Sequence, residues 1–203
     1  MFKYLKEYRM EDMREMLRND KAPHLRSGAS LAGKTAVISG ATSGVGLSGA
    51  AELARAGSDI VLVARDEKKA AAVAADLSAK FGVSTRFYIA DFTDLDQVKA
   101  AAERIARELE RIDILINSAG IHSTRKILTP GGFELAFCVN HLAPFILTHR
   151  LIPRLKERPE GRIIQVNSQG HRFNGLNLND LDWKKRPYTG LRGYGASKTA
   201  QLL

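Results

Sequence analysis

Residues 35–57 read TAVISGATSGVGLSGAAELARAG. The first five residues form a short apolar run, residues 40–46 hold three glycines, and a stretch of helical composition then stops at Gly57. An apolar run of this length is typical of a buried strand, and a glycine commonly ends a helix. The segment therefore predicts a strand, a tight glycine-rich turn and a helix in succession.

The same alternation continues along the rest of the chain. The predicted later strands cover residues 60–64, 85–90, 112–116 and 162–166. The predicted helices cover residues 46–56, residues 66–81, the segment after Asp94, residues 132–155 with a kink near Pro144, and a last segment that carries Tyr194 and Lys198. Apolar strands that alternate with amphipathic helices predict an α/β fold, a Rossmann-like doubly wound parallel sheet with helices on both faces.

The first 32 residues precede this pattern. Residues 1–20 predict a helix with apolar residues among charges of both signs, and residues 21–33 hold the proline, glycine and serine of a linker. We therefore expect an N-terminal helix and linker over residues 1–32 and one domain over residues 33–203. Docking of that helix on its own domain, or a mobile extension, is favoured over peripheral contact with a membrane surface.

The composition is that of an ordinary globular protein, at 44% hydrophobic and 26% charged residues. The single cysteine, Cys138, cannot form an intrachain disulfide and fits a reducing compartment. No apolar run reaches the roughly 20 residues of a membrane span, and the N-terminus lacks the apolar region of a secretory signal. A cytoplasmic location is therefore expected.

The net charge of +9 is concentrated at the C-terminal side, where residues 150–203 carry 11 Lys and Arg against 4 Asp and Glu. A solvated basic face is favoured over an anionic partner. Nucleic-acid binding is not expected, because Lys184, Lys185 and Arg186 lack interleaved aromatic residues. No metal site is expected either, since His141 and His171 have no second ligand at zinc spacing.

The glycine-rich turn is the first candidate functional site. In a doubly wound sheet, the turn between the first strand and the first helix holds a pyrophosphate. Glycines let the backbone approach a ligand closely, and a helix N-terminus offers free N–H groups to an anion. The spacing G-x-x-x-G-x-G over 40–46 differs from the common G-x-G-x-x-G, so a tight structural turn is the alternative.

The end of the second strand indicates which dinucleotide is preferred. A carboxylate there would accept hydrogen bonds from a ribose 2′-hydroxyl and repel a 2′-phosphate. The sequence instead places Ala64 at that point, followed by Arg65, whose guanidinium can pair with a phosphate. NADP(H) is therefore favoured and NAD(H) is the alternative, with Asp66 as the ribose acceptor if the register differs by two residues.

Five short motifs occur in order on the predicted elements. They are SGATSGVG at 39–46, NSAG at 117–120, Asn140 within CVNHL, Ser168 at the end of the fifth strand, and YGASK at 194–198. Together they resemble the TGxxxGIG loop, the NNAG element, the catalytic residues and the YxxxK signature of the short-chain dehydrogenase/reductase family, with Ser39 for the usual Thr. The resemblance covers residues 33–203.

The resemblance extends to one branch of that family. Residues 167–171 (NSQGH) and 178–181 (LNDL), together with the spacing of 26 positions from Ser168 to Tyr194, are similar to the retinol dehydrogenase-like and WW-domain oxidoreductase-like branch. This implies an NAD(P)(H)-dependent oxidoreductase that interconverts a small-molecule carbonyl and alcohol, with an apolar substrate favoured. The family also implies a homo-oligomer as one arrangement.

The resemblance assigns roles to four residues. Tyr194 would donate a proton in reduction and accept one in oxidation, and Ser168 would polarise the carbonyl. Lys198 follows Tyr194 at i+4, so both side chains can share a helix face, and its ammonium favours the phenolate. Lys198 would also bind the nicotinamide ribose, and Asn140 would hold a water between Lys198 and solvent.

The residues expected to contact the cofactor come from the ends of successive strands and from the last helix. They are Gly40, Thr42, Ser43, Gly44, Val45, Gly46, Arg65, Asp91, Phe92, Asn117, Ala119, Gly120, Tyr194 and Lys198. Among them, the resemblance implies contact of Asp91 with the adenine ring and of Asn117 and Gly120 with the cofactor near the adenine side.

Two further expectations concern the extent of the domain. Family domains continue past the position of Leu203 with two strands and a substrate-binding loop, so the resemblance implies a domain that lacks its C-terminal strands and exposes one sheet edge. A non-catalytic nucleotide-binding or interaction module, inactive because truncated, is the alternative function. The complete Ser168, Tyr194 and Lys198 set favours an enzyme, because a pure binder needs no proton donor.

Overall fold

The computed structural model describes Arg14, Arg18 and residues 27–203. The predicted helix over residues 1–20 lies outside the described residues except at these two arginines, both of which are helical and exposed. The predicted linker is described only from Ser27 onward, where it has no regular secondary structure up to Leu31.

Strands and helices alternate as the sequence predicts. In chain order they are β1 (Thr35–Ser39), α1 (Gly44–Arg55), β2 (Asp59–Ala64), α2 (Glu67–Phe81), β3 (Thr85–Ile89), α3 (Leu95–Glu108), β4 (Ile114–Asn117), α4 (Leu135–Lys156), β5 (Arg162–Gln165), a 3-10 turn (Gln169–Phe173) and α5 (Gly190–Ala200). The predicted boundaries differ mostly by one or two residues, which is the usual uncertainty at element ends.

The five strands form one parallel sheet in the order β3-β2-β1-β4-β5. The central strand β1 pairs on one side with β2 and on the other with β4, so that Ser39 lies level with Val63 and Asn117. The chain order reverses between β1 and β4, and ligands of open α/β sheets bind at such a point, outside the carboxyl ends of the strands. The prediction of a Rossmann-like doubly wound fold is confirmed.

Each face of the sheet packs against its own helices. Val37 points to the core that contains Val98 of α3 and Leu147 of α4, whereas its neighbour Ile38 points to the core with Leu77 of α2. Successive residues of a strand face opposite sides, so β1 must be apolar at nearly every position to serve both cores. The uninterrupted apolar run of the sequence follows from this burial.

Helix α4 differs from the prediction at its start and at its kink. It begins at Leu135, three residues later than expected, because both carboxylate oxygens of the buried Glu134 accept hydrogen bonds from the N–H groups of the first turn. Its irregularity is a π turn at Cys138–Leu142, where the N–H of Ala143 donates to the Cys138 carbonyl. The distortion therefore lies just before Pro144, which cannot donate a backbone hydrogen bond.

Among the described residues, α4 is the one helix long and apolar enough to cross a membrane by length and composition, with a mean hydropathy of 1.3. No apolar run of this length was found in the sequence, so this property of α4 was not predicted, because polar residues interrupt the apolar stretch of the helix. Half of the apolar stretch is buried inside the fold, and Leu147, Leu151 and Leu155 belong to the core. Core helices pass the same test, so these properties do not place α4 in a membrane.

Strand β5 forms one edge of the described sheet. All four of its residues are exposed, including Ile163 and Ile164 at 42% and 43%. An exposed apolar edge strand is a surface on which further chain can pair. Its carboxyl end leads directly to Ser168, so the edge strand still positions a candidate catalytic residue.

Candidate active site

A cavity of about 810 Å³ opens along the carboxyl ends of the strands. Its walls come from the segments that follow all five strands and from α5. The predicted site residues on these walls are Gly40, Thr42, Ser43, Val45, Gly46, Arg65, Asp91, Phe92, Ala119, Gly120, Ser168, Tyr194 and Lys198. Residues predicted from distant parts of the sequence therefore meet around one space.

The glycine-rich turn forms one end of the cavity. Gly40 has a φ of +71°, and a Cβ there would lie 2.6 Å from the Ala119 Cα, so only glycine fits without strain. A Cβ on Gly46 would collide with the Gly40 carbonyl oxygen. The two glycines thus let the turn fold tightly against itself and against the segment after β4.

The N-terminus of α1 also faces this end of the cavity. Ser43 occupies the N-cap position in an extended conformation, yet its side chain makes no capping hydrogen bond. A helix of 12 residues begins here, and its first-turn N–H groups have no partner within the helix. Ser43, Val45 and Gly46 line the cavity, so these donors and the positive end of the helix dipole are available to an anion.

The end of β2 carries no carboxylate. The strand ends at Ala64, and the exposed Arg65 follows on the cavity wall. Asp66, the alternative ribose acceptor, is the N-cap of α2, where its side chain accepts a hydrogen bond of 3.0 Å from the Lys69 N–H. The predicted alignment at the end of β2 is therefore correct. Arg65, and not an acidic residue, lies on the cavity wall at this strand end.

The segment after β3 contributes Asp91 and Phe92. The Oδ1 of Asp91 accepts hydrogen bonds of 2.9 Å from both the N–H and the Oγ1 of Thr93, which fix its carboxylate in a local turn. Phe92 is buried in the main core, while one part of it lines the cavity. These contacts hold in place the part of the cavity wall that follows β3.

The segment after β4 is tied to β1 by Ser39, whose buried hydroxyl oxygen accepts hydrogen bonds of 3.2 Å from the N–H groups of Ser118 and Ala119. The side chain of Asn117 turns toward α4 and donates to the Thr148 hydroxyl at 2.8 Å. Asn117 is fully buried and is absent from the described cavity wall, whereas Ala119 and Gly120 lie on it.

The residues after β5 bring Ser168 to the other end of the cavity. Its Oγ accepts a hydrogen bond of 3.1 Å from the Gly170 N–H at the start of the 3-10 turn. Since this bond uses an oxygen lone pair, the hydroxyl hydrogen stays available as a donor. Asn167 supports the segment by donating to the Lys198 carbonyl at 3.2 Å.

Tyr194 and Lys198 project from α5 into the same end of the cavity. The Tyr194 ring lies against Gly170, and a Cβ on Gly170 would be 2.8 Å from the Tyr194 Cδ1 and 3.3 Å from the Ser168 Oγ. The Lys198 Nζ is 5.8 Å from the centre of the Tyr194 ring. The geometry therefore brings an alcohol, a phenol and an amine together.

Lys198 is almost fully buried, at 5% exposure. Its Nζ donates to the Val166 carbonyl at 3.1 Å and to the Gln201 Oε1 at 2.8 Å. Burial lowers the pKa of the Lys198 ammonium below its usual value, because removal from water disfavours the charged form.

Asn140 lies in the π turn of α4 and is fully buried. Its Oδ1 accepts from the Ile121 N–H at 2.7 Å, and its Nδ2 donates to the Ile121 carbonyl at 2.9 Å and to the Ser197 Oγ at 2.9 Å. Asn140 therefore joins α4, α5 and the segment after β4. Gly120 lies between Asn140 and Lys198, since a Cβ on it would be 3.6 Å from the Oδ1 and 3.8 Å from the Nζ.

Three side-chain contacts of this region were not predicted from the sequence. His122 lines the cavity and meets the Tyr194 ring edge-on at 5.5 Å between centroids. Gln201 holds Lys198, and the Tyr188 hydroxyl donates to the buried Glu134 at 3.1 Å. The i+3 spacing from Lys198 to Gln201 could have indicated their contact from the sequence. The contacts of His122 and Glu134 join segments that are distant in sequence, so no local spacing indicates them.

The other polar candidates serve the fold. Cys138 is buried, and loss of water raises the pKa of its thiol to about 11, which leaves it unreactive at neutral pH. His171 uses its Nδ1 in a 2.8 Å contact with the Ser168 carbonyl. In the part of the chain that the structure describes, no group of three or more His, Cys, Asp or Glu residues is arranged to hold a metal ion.

Comparison with known proteins places this architecture in a family. The model of the family described as "short chain dehydrogenase" matches residues 34–179, which include the glycine-rich turn, the segment after β4, Asn140 and Ser168. The chain belongs to the short-chain dehydrogenase family. Tyr194 and Lys198 lie beyond the matched range, so their assignment depends on the sequence motif and on the geometry.

Curated short-chain dehydrogenases similar to this chain include the predicted branch. The chain is 42% identical to dehydrogenase/reductase SDR family member 13 of Bos taurus, an alignment that covers 90% of the chain and 48% of that protein. It is 38% identical to retinol dehydrogenase 13 of Homo sapiens, over 87% of the chain and 54% of that protein. The chain thus spans about half the length of these two relatives.

Solved structures agree with the fold of a short-chain dehydrogenase. A crystal structure of an uncharacterized protein from Mycobacterium Paratuberculosis has a TM-score of 0.72 at 36% identity and covers 86% of this chain and 60% of its own. L-sorbose reductase from Gluconobacter frateurii, complexed with NADPH and L-sorbose, has a TM-score of 0.70 at 29% identity and covers 87% of this chain and 63% of its own.

Proposed function

We propose that the protein is an NADP(H)-dependent oxidoreductase that interconverts a carbonyl and an alcohol, with Tyr194 as the proton donor and acceptor. The observation that carries this proposal is the meeting of Ser168, Tyr194 and Lys198 at one end of a cavity whose other end is the glycine-rich turn. A non-catalytic nucleotide binder would need only the second of these two ends.

The residues at the glycine-rich end fit a dinucleotide. The turn has no room for side chains at Gly40 or Gly46, so a pyrophosphate would meet bare backbone, and the uncapped N-terminus of α1 offers N–H donors. We assign the pyrophosphate to the turn over residues 40–46, and the adenosine side to Arg65, Asp91 and Phe92. When bound, the dinucleotide supplies or accepts the hydride, while the protein binds and orients the reactants.

NADP(H) is preferred over NAD(H) in this proposal because of the charge at the end of β2. Arg65 is exposed on the cavity wall, and no ion pair is found for it among the described residues. Its planar guanidinium can bind a 2′-phosphate with two parallel hydrogen bonds. The similar L-sorbose reductase was solved with NADPH, which is consistent with this preference.

Ser168, Tyr194 and Lys198, at the other end of the cavity, have separate roles in the proton transfer. The Tyr194 hydroxyl gives its proton to the developing alkoxide in reduction and takes it back in oxidation. The Ser168 hydroxyl donates a hydrogen bond to the same oxygen and stabilises the negative charge that forms on it. The Lys198 ammonium, 5.8 Å from the Tyr194 ring centre, stabilises the phenolate form of Tyr194 by Coulomb attraction.

An apolar substrate fits the wall near Tyr194. Ile121, Phe173 and Leu191 line this part of the cavity, and Leu191 is 52% exposed. Apolar walls bind apolar molecules by removing both surfaces from water. Retinol, which appears in the name of the relative retinol dehydrogenase 13, is an alcohol of this apolar class.

The location and assembly of the protein stay predictions. A cytoplasmic location and a homo-oligomer are expected from the sequence or the family resemblance alone, and peripheral membrane contact through the N-terminal segment is the less favoured alternative. Co-sedimentation with vesicles of neutral and anionic phospholipid measures the membrane contact, and sedimentation velocity measures the oligomer.

The proposed function is tested by turnover of the full chain. Purified protein is incubated with NADPH and a panel of apolar ketones and aldehydes, and oxidation of NADPH is followed by absorbance. We expect turnover in the wild type and a loss of at least about 100-fold in Tyr194→Phe, the lower range for removal of a general acid. Binding of NADPH, measured by its fluorescence, should survive the substitution. Turnover that persists in Tyr194→Phe contradicts the assigned role.

A further inference from the structure

Lys198 has a direct side-chain partner outside the predicted catalytic set. The Gln201 Oε1 accepts a hydrogen bond of 2.8 Å from the Lys198 Nζ, and the Val166 carbonyl accepts a second of 3.1 Å. An ammonium group has three protons, so these two acceptors leave one for the cavity that Lys198 lines. Both acceptors are neutral, and the described residues provide no ion pair for Lys198.

We propose that Gln201 is a positioning residue: it holds the Lys198 ammonium against the Val166 carbonyl and so sets how strongly that ammonium acts on the Tyr194 phenol. This inference rests on the proposed function, because the Lys198 ammonium matters to turnover only if Tyr194 transfers a proton. Gln201 does not itself line the cavity, and its side chain contacts Lys198, so its effect on Tyr194 passes through Lys198.

The chemistry of an amide suits this position. An ammonium at 5% exposure loses most of its hydration, and strong acceptors must replace the lost water. A carboxylate would do so, but its negative charge would cancel much of the field that Lys198 exerts on Tyr194. A glutamine carbonyl satisfies the ammonium and leaves its charge uncompensated.

A neighbouring amide lies beside Gln201. The Gln201 Nε2 makes a long contact of 3.5 Å with the Gln165 Oε1, while the Gln201 Oε1 accepts the shorter hydrogen bond from Lys198. The pair of glutamines therefore connects the end of β5 to the end of α5. An amide has one donor group and one acceptor group, and in Gln201 the donor faces Gln165 while the acceptor faces Lys198.

The titratable groups around Lys198 and Tyr194 are few. Tyr194 itself lies on α5, His122 meets the Tyr194 ring from the segment after β4, and His171 contacts the Ser168 carbonyl from the 3-10 turn. Burial is the cause that lowers the pKa of Lys198. A charged side chain introduced at position 201 would therefore interact electrostatically with the Lys198 ammonium directly.

The test replaces Gln201 by a carboxylate and follows the ionisation of Tyr194 by ultraviolet phenolate absorbance. The chain has five tyrosines, so each variant is titrated with and without the additional Tyr194→Phe substitution, and the difference isolates Tyr194. In Gln201→Glu we expect the Tyr194 midpoint to move upward by roughly 0.5–1 pH unit, as Coulomb screening by one added charge predicts. The matched control is Gln165→Glu, which adds the same charge nearby without contacting Lys198.

A second variant separates the hydrogen bond from the charge. Gln201→Leu keeps a side chain of similar size but removes the acceptor, so the ammonium is less favoured and the Tyr194 midpoint should again rise. Circular dichroism confirms that each variant is folded. If the Tyr194 midpoint is the same in Gln201→Glu as in the wild type, or moves equally in Gln165→Glu, the positioning role is refuted.

Turnover distinguishes this inference from the proposed function. If the wild type oxidises an alcohol, the acidic limb of its pH profile should move upward in Gln201→Glu together with the Tyr194 midpoint; an unmoved limb contradicts the inference. If no substrate is turned over, the proposed function fails. The absorbance titration then still decides whether Gln201 controls Tyr194, because it needs neither cofactor nor substrate.

Discussion

The Tyr194 ring packs against the Cα of Gly170, so position 170 has no space for a side chain on that face. This contact joins α5 to the 3-10 turn, in which the Gly170 N–H also donates a hydrogen bond to the Ser168 Oγ. Gly170, which belongs to the stretch NSQGH at 167–171, is thus the surface against which the ring of the proposed proton donor packs.

Substitution Gly170→Ala should displace Tyr194. The added Cβ would lie 2.8 Å from the Tyr194 Cδ1, and the ring must turn away because the backbone behind Gly170 is buried. We expect kcat to fall at least about 10-fold, since small misplacements of a catalytic group reduce rates strongly. Steady-state kinetics and NADPH titration measure the effect, and NADPH affinity should change little.

The control for this prediction is Gly175→Ala in the same connection. Gly175 has no atom near its added Cβ, so this variant should keep the wild-type kcat. Equal rates in Gly170→Ala and the wild type would show that the Tyr194–Gly170 contact does not position the phenol.

Substitution Gly46→Ala should abolish dinucleotide binding. Its Cβ would collide with the Gly40 carbonyl oxygen and force the glycine-rich turn open. Gly49→Ala is the matched control on the same helix, because nothing lies within 4 Å of its added Cβ. Gly49→Ala should bind NADPH normally and stabilise α1 by about 0.5–1 kcal/mol, the propensity difference between the residues. Fluorescence titration and thermal unfolding measure both; normal binding by Gly46→Ala would contradict the assignment of the turn.

Substitution Arg65→Ala should weaken NADPH binding and leave NADH binding unchanged. Loss of a charged hydrogen bond to a phosphate costs about 1.5–3 kcal/mol, which corresponds to roughly 10–100-fold in Kd. Arg86→Ala, at an exposed arginine of β3 outside the cavity wall, is the control and should affect neither cofactor. An equal loss of affinity for both cofactors in Arg65→Ala would argue against a 2′-phosphate contact.

The Arg111–Asp113 pair should make stability depend on pH. Burial alone would raise the pKa of Asp113, but the Arg111 guanidinium at 2.6 Å and the Thr35 N–H at 2.8 Å hold that pKa below its usual value. A carboxyl group with a lowered pKa in the folded state stabilises the fold above its unfolded pKa, and this stabilisation is lost as the pH falls through the folded pKa.

Asp113→Asn should therefore destabilise the protein at neutral pH, and the difference from the wild type should shrink as the pH drops below about 4, the ordinary range of an aspartate. Urea unfolding at several pH values gives the free energies. Asp76→Asn, on the exposed face of α2, serves as the control and should show no such trend. A difference that stays constant across the pH range would exclude the ionic contribution of Asp113.

The sequence predicted the fold well because the central strands β1 and β2 are buried on both faces. Continuous apolar runs such as the one in β1 are typical of parallel strands that helices cover on both faces. The sequence also predicted the cavity wall at Gly40, Gly46, Arg65 and Tyr194, since the carboxyl ends of parallel strands meet at one edge. The family-model match over residues 34–179 agrees with this interpretation.

Contacts that depend on side-chain direction were not predictable. Asn117 was expected just after the fourth strand, but it is the last residue of β4, and its side chain bonds to Thr148 on α4, away from the cavity. The assigned water-holding role of Asn140 did not reveal its hydrogen bonds to Ile121 and Ser197. Such pairings join residues many positions apart, and no local spacing reports them.

The π turn at Cys138–Leu142 gives α4 one more residue than an ordinary helix of the same rise would hold. Deleting a single residue there would restore regular winding, and the helix on both sides would keep its faces, because the wider turn is what absorbs the extra residue. Asn140 would then leave the Ser197 hydroxyl while Leu147 and Leu151 kept their places. The extra residue therefore lets one helix present an amide to α5 and an apolar stripe to the sheet, two requirements that a uniform pitch cannot meet together.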